Sequence, residues 1–233
     1  MHAVTFQNDH PLARAFITNV ETPVFPCVGA KSALARGQMD ILVARDVSSA
    51  WDDLRILPAL AATVGKYRAD KALFRTLVVI FEGPRALSES DFEQHLWARA
   101  QSLSDKDAWL GYKPDPSVSS DPEDPHFSLS FAGEAFFVVG LHPNASRPAR
   151  RFDAPAMVFN LHDQFVVLRE QQRYEKLRAS ILSRDEQLAG SVNPMLARHG
   201  ELSEARQYSG REVGEGWKCP FQRTAGADID IAL

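Results

Sequence analysis

Short apolar runs along the chain predict the strands of a sheet. Residues 77–81 form a continuous apolar run, mostly β-branched, which is typical of a strand buried on both faces. Residues 41–44 form a shorter run of the same kind. Residues 127–131 and 135–140 flank a turn around Gly133, and this arrangement predicts a β-hairpin.

A further strand is predicted where residues 157–164 alternate between apolar and polar side chains. Its polar members are Asn160, His162 and Gln164. A polar strand face of this kind either meets solvent or borders a ligand pocket, and the local pattern leaves both alternatives open.

Helical spacing of apolar residues predicts four helices. They cover residues 31–36, 49–67, 88–102 and 170–188. The first helix is expected to stop at Gly37, and Pro58 is expected to kink or break the second. Ser88 caps the third helix, with Asp91 at the matching capping-box position. The apolar stripe of the fourth helix consists of Leu177, Ile181 and Leu188.

These elements predict an α+β fold in one domain spanning residues 1–233, with a mixed, largely antiparallel sheet packed by helices. Residues 113–125 contain four prolines among several serines and aspartates. This composition predicts a long loop, and we place no domain boundary in it.

The composition is ordinary for a globular protein, with 45% hydrophobic and 24% charged residues. The net charge of −4 gives no excess of positive charge for non-specific nucleic-acid binding. We therefore expect no nucleic-acid partner.

Three further features favour a cytoplasmic protein without membrane contact. The chain has two cysteines, Cys27 and Cys219, so a disulfide framework is not expected and a reducing compartment fits better. The first ten residues are polar and lead into Pro11, without the basic and apolar regions of a secretory signal. The longest clean apolar run, residues 135–141, is too short to span a bilayer.

The most distinctive polar segment is residues 142–152. His142 follows the apolar run at 135–141, and Pro143 restricts the direction in which the chain leaves it. Three arginines follow, at Arg147, Arg150 and Arg151. Taken alone, the segment indicates a structural turn with a basic surface.

Several stretches of sequence together resemble the YqcI/YcgG family over about residues 25–221. They are Phe25-Pro26-Cys27, the segment 142–152, and residues 158–165, 191–196, 203–211 and 217–221. Characterised members of that family are haem-dependent N-oxygenases that hydroxylate a guanidine nitrogen, either of L-arginine in cycloserine biosynthesis or of a cyclic guanidine in guanitoxin biosynthesis. The resemblance implies a haem b enzyme that uses O2 and an external electron donor on a small guanidine or amine substrate. A homodimer is one assembly consistent with it.

The resemblance gives the polar residues specific expected roles. His142 is expected to be the proximal iron ligand, because it stands at a strand end beside arginines that suit carboxylates. Cys27 is the alternative ligand, since a thiolate favours O–O cleavage, and Cys219 ranks third. The arginines expected to bind the haem propionates are Arg147, Arg150, Arg151, Arg206 and Arg211.

Three residues are expected to act on the substrate side of the haem. His162 becomes a distal acid or base, or an alternative ligand, if its strand borders the haem. Asn160 shares that strand face. Glu204 is expected to pair with a cationic guanidinium through charge-assisted hydrogen bonds.

Two other functions compete with the enzyme. A non-catalytic haem carrier, or a gas or redox sensor, would bind the same cofactor without turnover. A zinc protein or a metal-free protein is the third alternative, although Cys27, His142, His162 and Cys219 lack the local spacing of zinc ligands. The chain has no glycine-rich phosphate-binding motif, so nucleotide binding is not indicated.

Overall fold

A computed structural model describes residues 4–196 and 200–224, and in this part of the chain the strands form one five-stranded sheet. The strands are β1 (Met39–Asp46), β2 (Thr76–Gly83), β3 (Leu129–Phe131), β4 (Glu134–Leu141) and β5 (Ala156–Leu161). Their order across the sheet is β1-β2-β5-β4-β3. The β1–β2 pair is parallel and the other three pairs are antiparallel, which confirms the mixed, largely antiparallel α+β architecture.

Helices cover both faces of the sheet. The helices are α1 (Pro11–Glu21), α2 (Val28–Ala35), α3 (Asp53–Ala69), α4 (Glu89–Trp109), α5 (Asp163–Glu170), α6 (Tyr174–Ala189) and α7 (Ala205–Tyr208). No helix within the described ranges is long and apolar enough to cross a membrane.

The sheet separates two apolar cores because side chains alternate along each strand. On β4, Phe136 and Val138 point into the core formed with α3 and α4, called here the α3/α4 core. Leu141, with Val139 packed beside it, belongs to the core formed with α1 and α2, called here the α1/α2 core. Odd and even positions of β4 therefore serve different faces of the molecule.

Helix α4 begins as the sequence predicts and runs further than expected. The Ser88 Oγ accepts a hydrogen bond from the Asp91 amide at 3.1 Å, and the Asp91 Oδ2 accepts one from the Ser88 amide at 3.3 Å. This capping box satisfies two of the amides that a helix start leaves without partners. The helix extends to Trp109 and packs by Phe92 and Leu96 on the sheet.

The predicted strand at 157–164 ends earlier than its alternation suggests. Strand β5 stops at Leu161, and His162 already has helical backbone angles and precedes α5. Strand β5 lies between β2 and β4, and helices cover both faces of the sheet. Nearly all positions of β5 are therefore buried, whereas the alternating pattern suggested that only one of its two faces would be. The polar residues at 162 and 164 therefore belong to a strand-to-helix junction.

The predicted helix at 170–188 is confirmed as α6, which begins four residues later than predicted and ends at Ala189. Helix α5 ends at Glu170 and α6 begins at Tyr174, with Gln172 between them at a φ of 57°. This left-handed backbone cannot continue a right-handed helix, so the chain changes direction there. Residues 113–125 form neither helix nor strand, as predicted.

Candidate ligand cavity

A cavity of about 240 Å³ opens on the α1/α2 face of the sheet, between the strands and helices α2, α5 and α6. Most of its wall is apolar. Representative wall residues are Phe25, Ala30, Met39, Phe137, Val139 and Ile181. A concave, largely apolar site with a few polar groups is the usual form of a small-molecule site, and we call it the main cavity.

Cys27 places a thiol in the wall of the main cavity. It is the N-cap of α2, and its Sγ accepts a hydrogen bond from the Ala30 amide at 3.4 Å. Burial raises the pKa of the Cys27 thiol, while the Ala30 and Gly29 amides and the positive charge of Arg150 oppose that rise. The two amides and Arg150 would therefore stabilise the Cys27 thiolate once a metal cation binds the sulfur.

Asn160 of β5 lines the polar end of the main cavity. It pairs with Thr76 on β2 and with Phe137 on β4, and all three line the cavity. Its Nδ2 donates to the Phe137 carbonyl oxygen at 3.4 Å. Gln164, from the first turn of α5, lines the same end and donates to the Arg75 carbonyl oxygen at 2.6 Å. The structure thus brings Asn160 and Cys27 to one cavity.

Arg150 also lines the main cavity, but protein carbonyls occupy its guanidinium. It donates to the Gly140 carbonyl at 3.1 Å and to the Gln207 carbonyl at 3.0 Å. Burial lowers the pKa of Arg150 to about 10. Arg150 therefore ties the end of β4 to helix α7, and its positive charge faces Cys27.

A second cavity of about 150 Å³ adjoins the main cavity. The walls common to both are Phe137, Phe165, Leu177, Ile181 and Leu196. The second cavity is more polar, because Arg169, Tyr174, Arg178 and Glu204 also line it. We call this space the second cavity.

Glu204 and His162 form a buried pair beside the second cavity. The His162 Nε2 lies 3.6 Å from the Glu204 Oε1. The Glu204 Oε2 accepts a hydrogen bond from the Ser128 Oγ at 2.8 Å, and the Tyr208 hydroxyl lies at 3.5 Å. His162, Ser128 and Tyr208 therefore already surround the Glu204 carboxylate, which the sequence analysis expected to bind a substrate guanidinium.

His142, the expected iron ligand, lines neither of the two cavities. Its ring stacks on Phe92 of α4 with ring centroids 4.4 Å apart, on the α3/α4 side of the sheet. It continues the even-numbered side of β4, whereas the main cavity takes Phe137, Val139 and Leu141. Burial lowers the pKa of His142, so the neutral imidazole is favoured.

Two of the arginines in the segment 142–152 also bind protein groups. Arg147 donates to the Asp185 Oδ2 from Nε at 2.8 Å. Arg151 donates to the carbonyl oxygens of Ala145 at 2.7 Å and Ser146 at 2.9 Å. These contacts fold the segment on itself and against α6, so the local basic turn is structural.

The two tail arginines are likewise engaged. Arg206 donates to the Trp217 carbonyl oxygen at 3.2 Å and stacks over the Trp217 ring. Arg211 forms an ion pair with Glu93 of α4, with Nε 2.8 Å from Oε2. Neither arginine lines a cavity described above.

Comparison with known proteins identifies the family of this chain. The YqcI/YcgG family matches residues 14–222. The chain belongs to the YqcI/YcgG family. It is also 27% identical over 218 residues to the "Uncharacterized protein YcgG" of Bacillus subtilis (strain 168), an alignment covering 86% of this chain and 82% of that protein. No solved structure matches the chain. Within the family match lie Cys27, Asn160, His162 and Glu204.

Asp185 is a cavity residue that the sequence reasoning missed. It lines the main cavity from α6 and is 3% exposed. The spacing from Leu177 to Ile181 to Asp185 continues the predicted apolar stripe by one more turn. The available signal was a carboxylate on the apolar face of a helix. A buried carboxylate nearly always has a partner, so its position there indicates a paired or ligand-binding group.

The four residues considered for zinc are not brought together. Cys27 lines the main cavity, His142 lies on the other face of the sheet, and Cys219 packs against the α3/α4 core. Burial raises the pKa of Cys219 to about 12, so its thiol is held in the protonated form. Across residues 4–196 and 200–224, no group of three or more His, Cys, Asp or Glu side chains is arranged to hold a metal ion.

Proposed function

We propose that this chain is a haem-dependent monooxygenase that hydroxylates a nitrogen of a small guanidine or amine. The observation that carries the proposal is the main cavity, in which the Cys27 thiol faces apolar walls at the N-terminus of a helix. Membership of the YqcI/YcgG family supports it, because the resemblance described above implies haem and N-hydroxylation.

The donor set of the main cavity fits a haem. A thiol is an established axial ligand, and a thiolate promotes O–O cleavage. The main cavity alone, at about 240 Å³, is slightly smaller than the roughly 300–1,000 Å³ of typical small-molecule sites. The second cavity adjoins it at Phe137, Phe165 and helix α6, and a haem bound together with a substrate would require this shared wall to open.

The residues that would hold the haem differ from those first expected. In our proposal Cys27 rather than His142 would bind the haem iron, because only Cys27 of the two lines one of these cavities. Arg169 and Arg178 replace the engaged arginines as partners for the propionates, because both line the second cavity. Arg169 stacks over Tyr174, and Arg178 donates to the Leu196 carbonyl oxygen at 2.9 Å.

Haem, when bound, supplies the activation of dioxygen. The hydroxylation places one oxygen atom in an N–H bond of the substrate and releases the other as water, with two electrons from an external donor and two protons. The chain's own share is to orient the substrate and deliver protons. The Asn160 and Gln164 amides are two polar groups of the main cavity that can orient a bound molecule.

The His162–Glu204 pair is the proposed proton store. The His162 imidazole and the Glu204 carboxylate, with Nε2 and Oε1 3.6 Å apart, are two groups beside the second cavity that would relay a proton to it. Phe137 and Phe165 make part of the wall shared by the two cavities apolar.

Turnover tests the proposal and separates it from the sensor or carrier alternative. Haem-loaded protein should convert L-arginine, or another member of a guanidine and amine panel, to a product carrying one oxygen atom from isotopically labelled O2. Mass spectrometry detects that product. Binding of O2 or carbon monoxide without any hydroxylated product across the panel would contradict the enzyme and favour the sensor.

A further inference from the structure

Asp185 carries a buried oxygen that the rest of the protein leaves without a partner. Its Oδ2 accepts both the Nε and the Nη2 of Arg147, at 2.8 Å and 2.5 Å. Its Oδ1 is buried and has no hydrogen-bond partner among the residues that the structure describes. Buried polar atoms are nearly always satisfied, so an unsatisfied carboxylate oxygen in a cavity wall calls for a ligand that satisfies it.

The surroundings of this oxygen favour a nitrogen donor. Asp185 is the one acidic side chain among the described residues that line the main cavity. The neighbouring apolar wall, with Leu177 and Ile181 on the same helix face, offers it no donor. In a site of this kind, an N–H group that carries positive charge forms a stronger hydrogen bond to a carboxylate than a neutral one does.

The alternative carboxylate, Glu204, is less suited to this task. Its Oε2 already accepts the Ser128 Oγ hydrogen bond at 2.8 Å, and its Oε1 faces the His162 Nε2. The positive charge of Arg150 also interacts with Asp185, but the Arg150 guanidinium donates its hydrogen bonds to the carbonyls of Gly140 and Gln207. Arg150 therefore leaves the Asp185 Oδ1 available to a ligand.

We propose that the Asp185 Oδ1 receives an N–H group of a cationic guanidinium or ammonium ligand in the main cavity. The identity of that ligand as the substrate rests on the proposed function, whereas the cation site itself does not. Asp185 is then the residue that makes the main cavity prefer a charged guanidine to a neutral molecule of the same shape.

Calorimetric titration of the full chain tests the site, with butylguanidinium as the probe and butylurea as its neutral counterpart. The wild-type protein should bind butylguanidinium and discriminate against butylurea. Asp185→Asn should weaken butylguanidinium binding by roughly tenfold to a hundredfold, the range of a charge-assisted hydrogen bond, and should abolish the preference. Glu186→Gln, which removes the same charge from an exposed position of α6, should bind like wild type.

Asp185→Asn also loses the ion pair to Arg147, so its folding is checked by circular dichroism. Arg147→Gln provides a second variant that keeps the carboxylate and removes its partner. Butylguanidinium should raise the melting temperature of Arg147→Gln more than that of wild type, because the probe replaces the missing cation. Equal binding by wild type and a folded Asp185→Asn would overturn the proposal, as would equal thermal shifts for wild type and Arg147→Gln.

Titration of haem-free and haem-loaded protein separates this inference from the proposed function. If the chain takes up no haem but binds butylguanidinium in an Asp185-dependent way, the cation site stands and the monooxygenase fails. If haem binds and the Asp185→Asn variant still prefers butylguanidinium, the cation site fails alone.

Discussion

At the residue scale, burial and the neighbouring groups shift the pKa of the Cys27 thiol in opposite directions. Burial raises its pKa, and the α2 amides and Arg150 only partly offset that effect. Without a bound cation the protonated thiol is therefore the resting form at neutral pH. A metal that binds the sulfur would displace this proton, so ligand binding and thiol ionisation are coupled.

The raised pKa predicts slow alkylation of Cys27 in haem-free protein. In a Cys219→Ser background, where Cys27 is the remaining thiol of the chain's two, the rate of reaction with iodoacetamide at pH 7 should be well below that of free cysteine. The rate should increase with pH up to and beyond the ordinary thiol pKa of about 8.5. Mass spectrometry of the alkylated chain measures the rate, and the unfolded protein is the control.

Rapid alkylation at pH 7, equal to that of the unfolded control, would contradict the burial of this thiol. Addition of hemin should slow the reaction further, because the iron and the alkylating reagent compete for the same sulfur.

Some site residues were predictable from local sequence and others were not. Cys27 stands out because a proline and an aromatic residue precede it directly, and Asn160 because it interrupts an apolar strand. The carboxylate partners of Arg147 and Arg211 lie far away in sequence, so no local pattern shows that these two cations are already paired.

At the element scale, β4 approaches its neighbouring helices very closely at Gly140. Gly140 faces α4 and α7, and a Cβ at this position would lie 2.7 Å from side-chain atoms of Phe92 and Leu96 and 2.9 Å from the Tyr208 carbonyl oxygen. The helices can approach the sheet this closely only because residue 140 has no side chain. The same approach brings the Tyr208 end of α7 to Arg150 and the cavity wall.

Gly140→Ala should therefore lower the free energy of unfolding by about 1–3 kcal/mol, as overpacking of a core does. Urea denaturation followed by circular dichroism measures the change. Gly65→Ala is the matched control, because Gly65 lies at an exposed position of helix α3 with nothing within 4 Å of a new Cβ. That control should instead gain up to about 1 kcal/mol from helix propensity. A Gly140→Ala protein as stable as wild type would refute the close approach.

The sequence pattern predicted the strands better than the junctions between elements. Residues 77–81 were predicted as a buried strand and form the middle of β2, since a continuous apolar run suits a strand covered on both faces. The strand at 157–164 was predicted too long, because its polar positions continue the alternation into the turn before α5. Alternation alone does not reveal where the backbone leaves the sheet.

At the scale of the whole molecule, the two faces of the sheet decide which predicted ligand can reach a cavity. His142 follows the even-numbered positions of β4 towards α4, while the main cavity lies with the odd-numbered positions on the α2 and α6 side. The parity of residue 142 was readable from the sequence. The face that Cys27 covers was not, because it depends on how α2 packs against a sheet formed by distant strands.

The absorption spectrum of the hemin-reconstituted, reduced, carbon monoxide-bound protein tests the central claim most directly, which is that Cys27 holds a haem in the main cavity. Wild type and His142→Ala should share the red-shifted Soret band of a thiolate-ligated haem, and Cys27→Ser should lose that shift. Absence of any Soret band in wild type after hemin titration would contradict the haem. A spectrum unchanged in Cys27→Ser but altered in His142→Ala would contradict the assignment of the iron to Cys27.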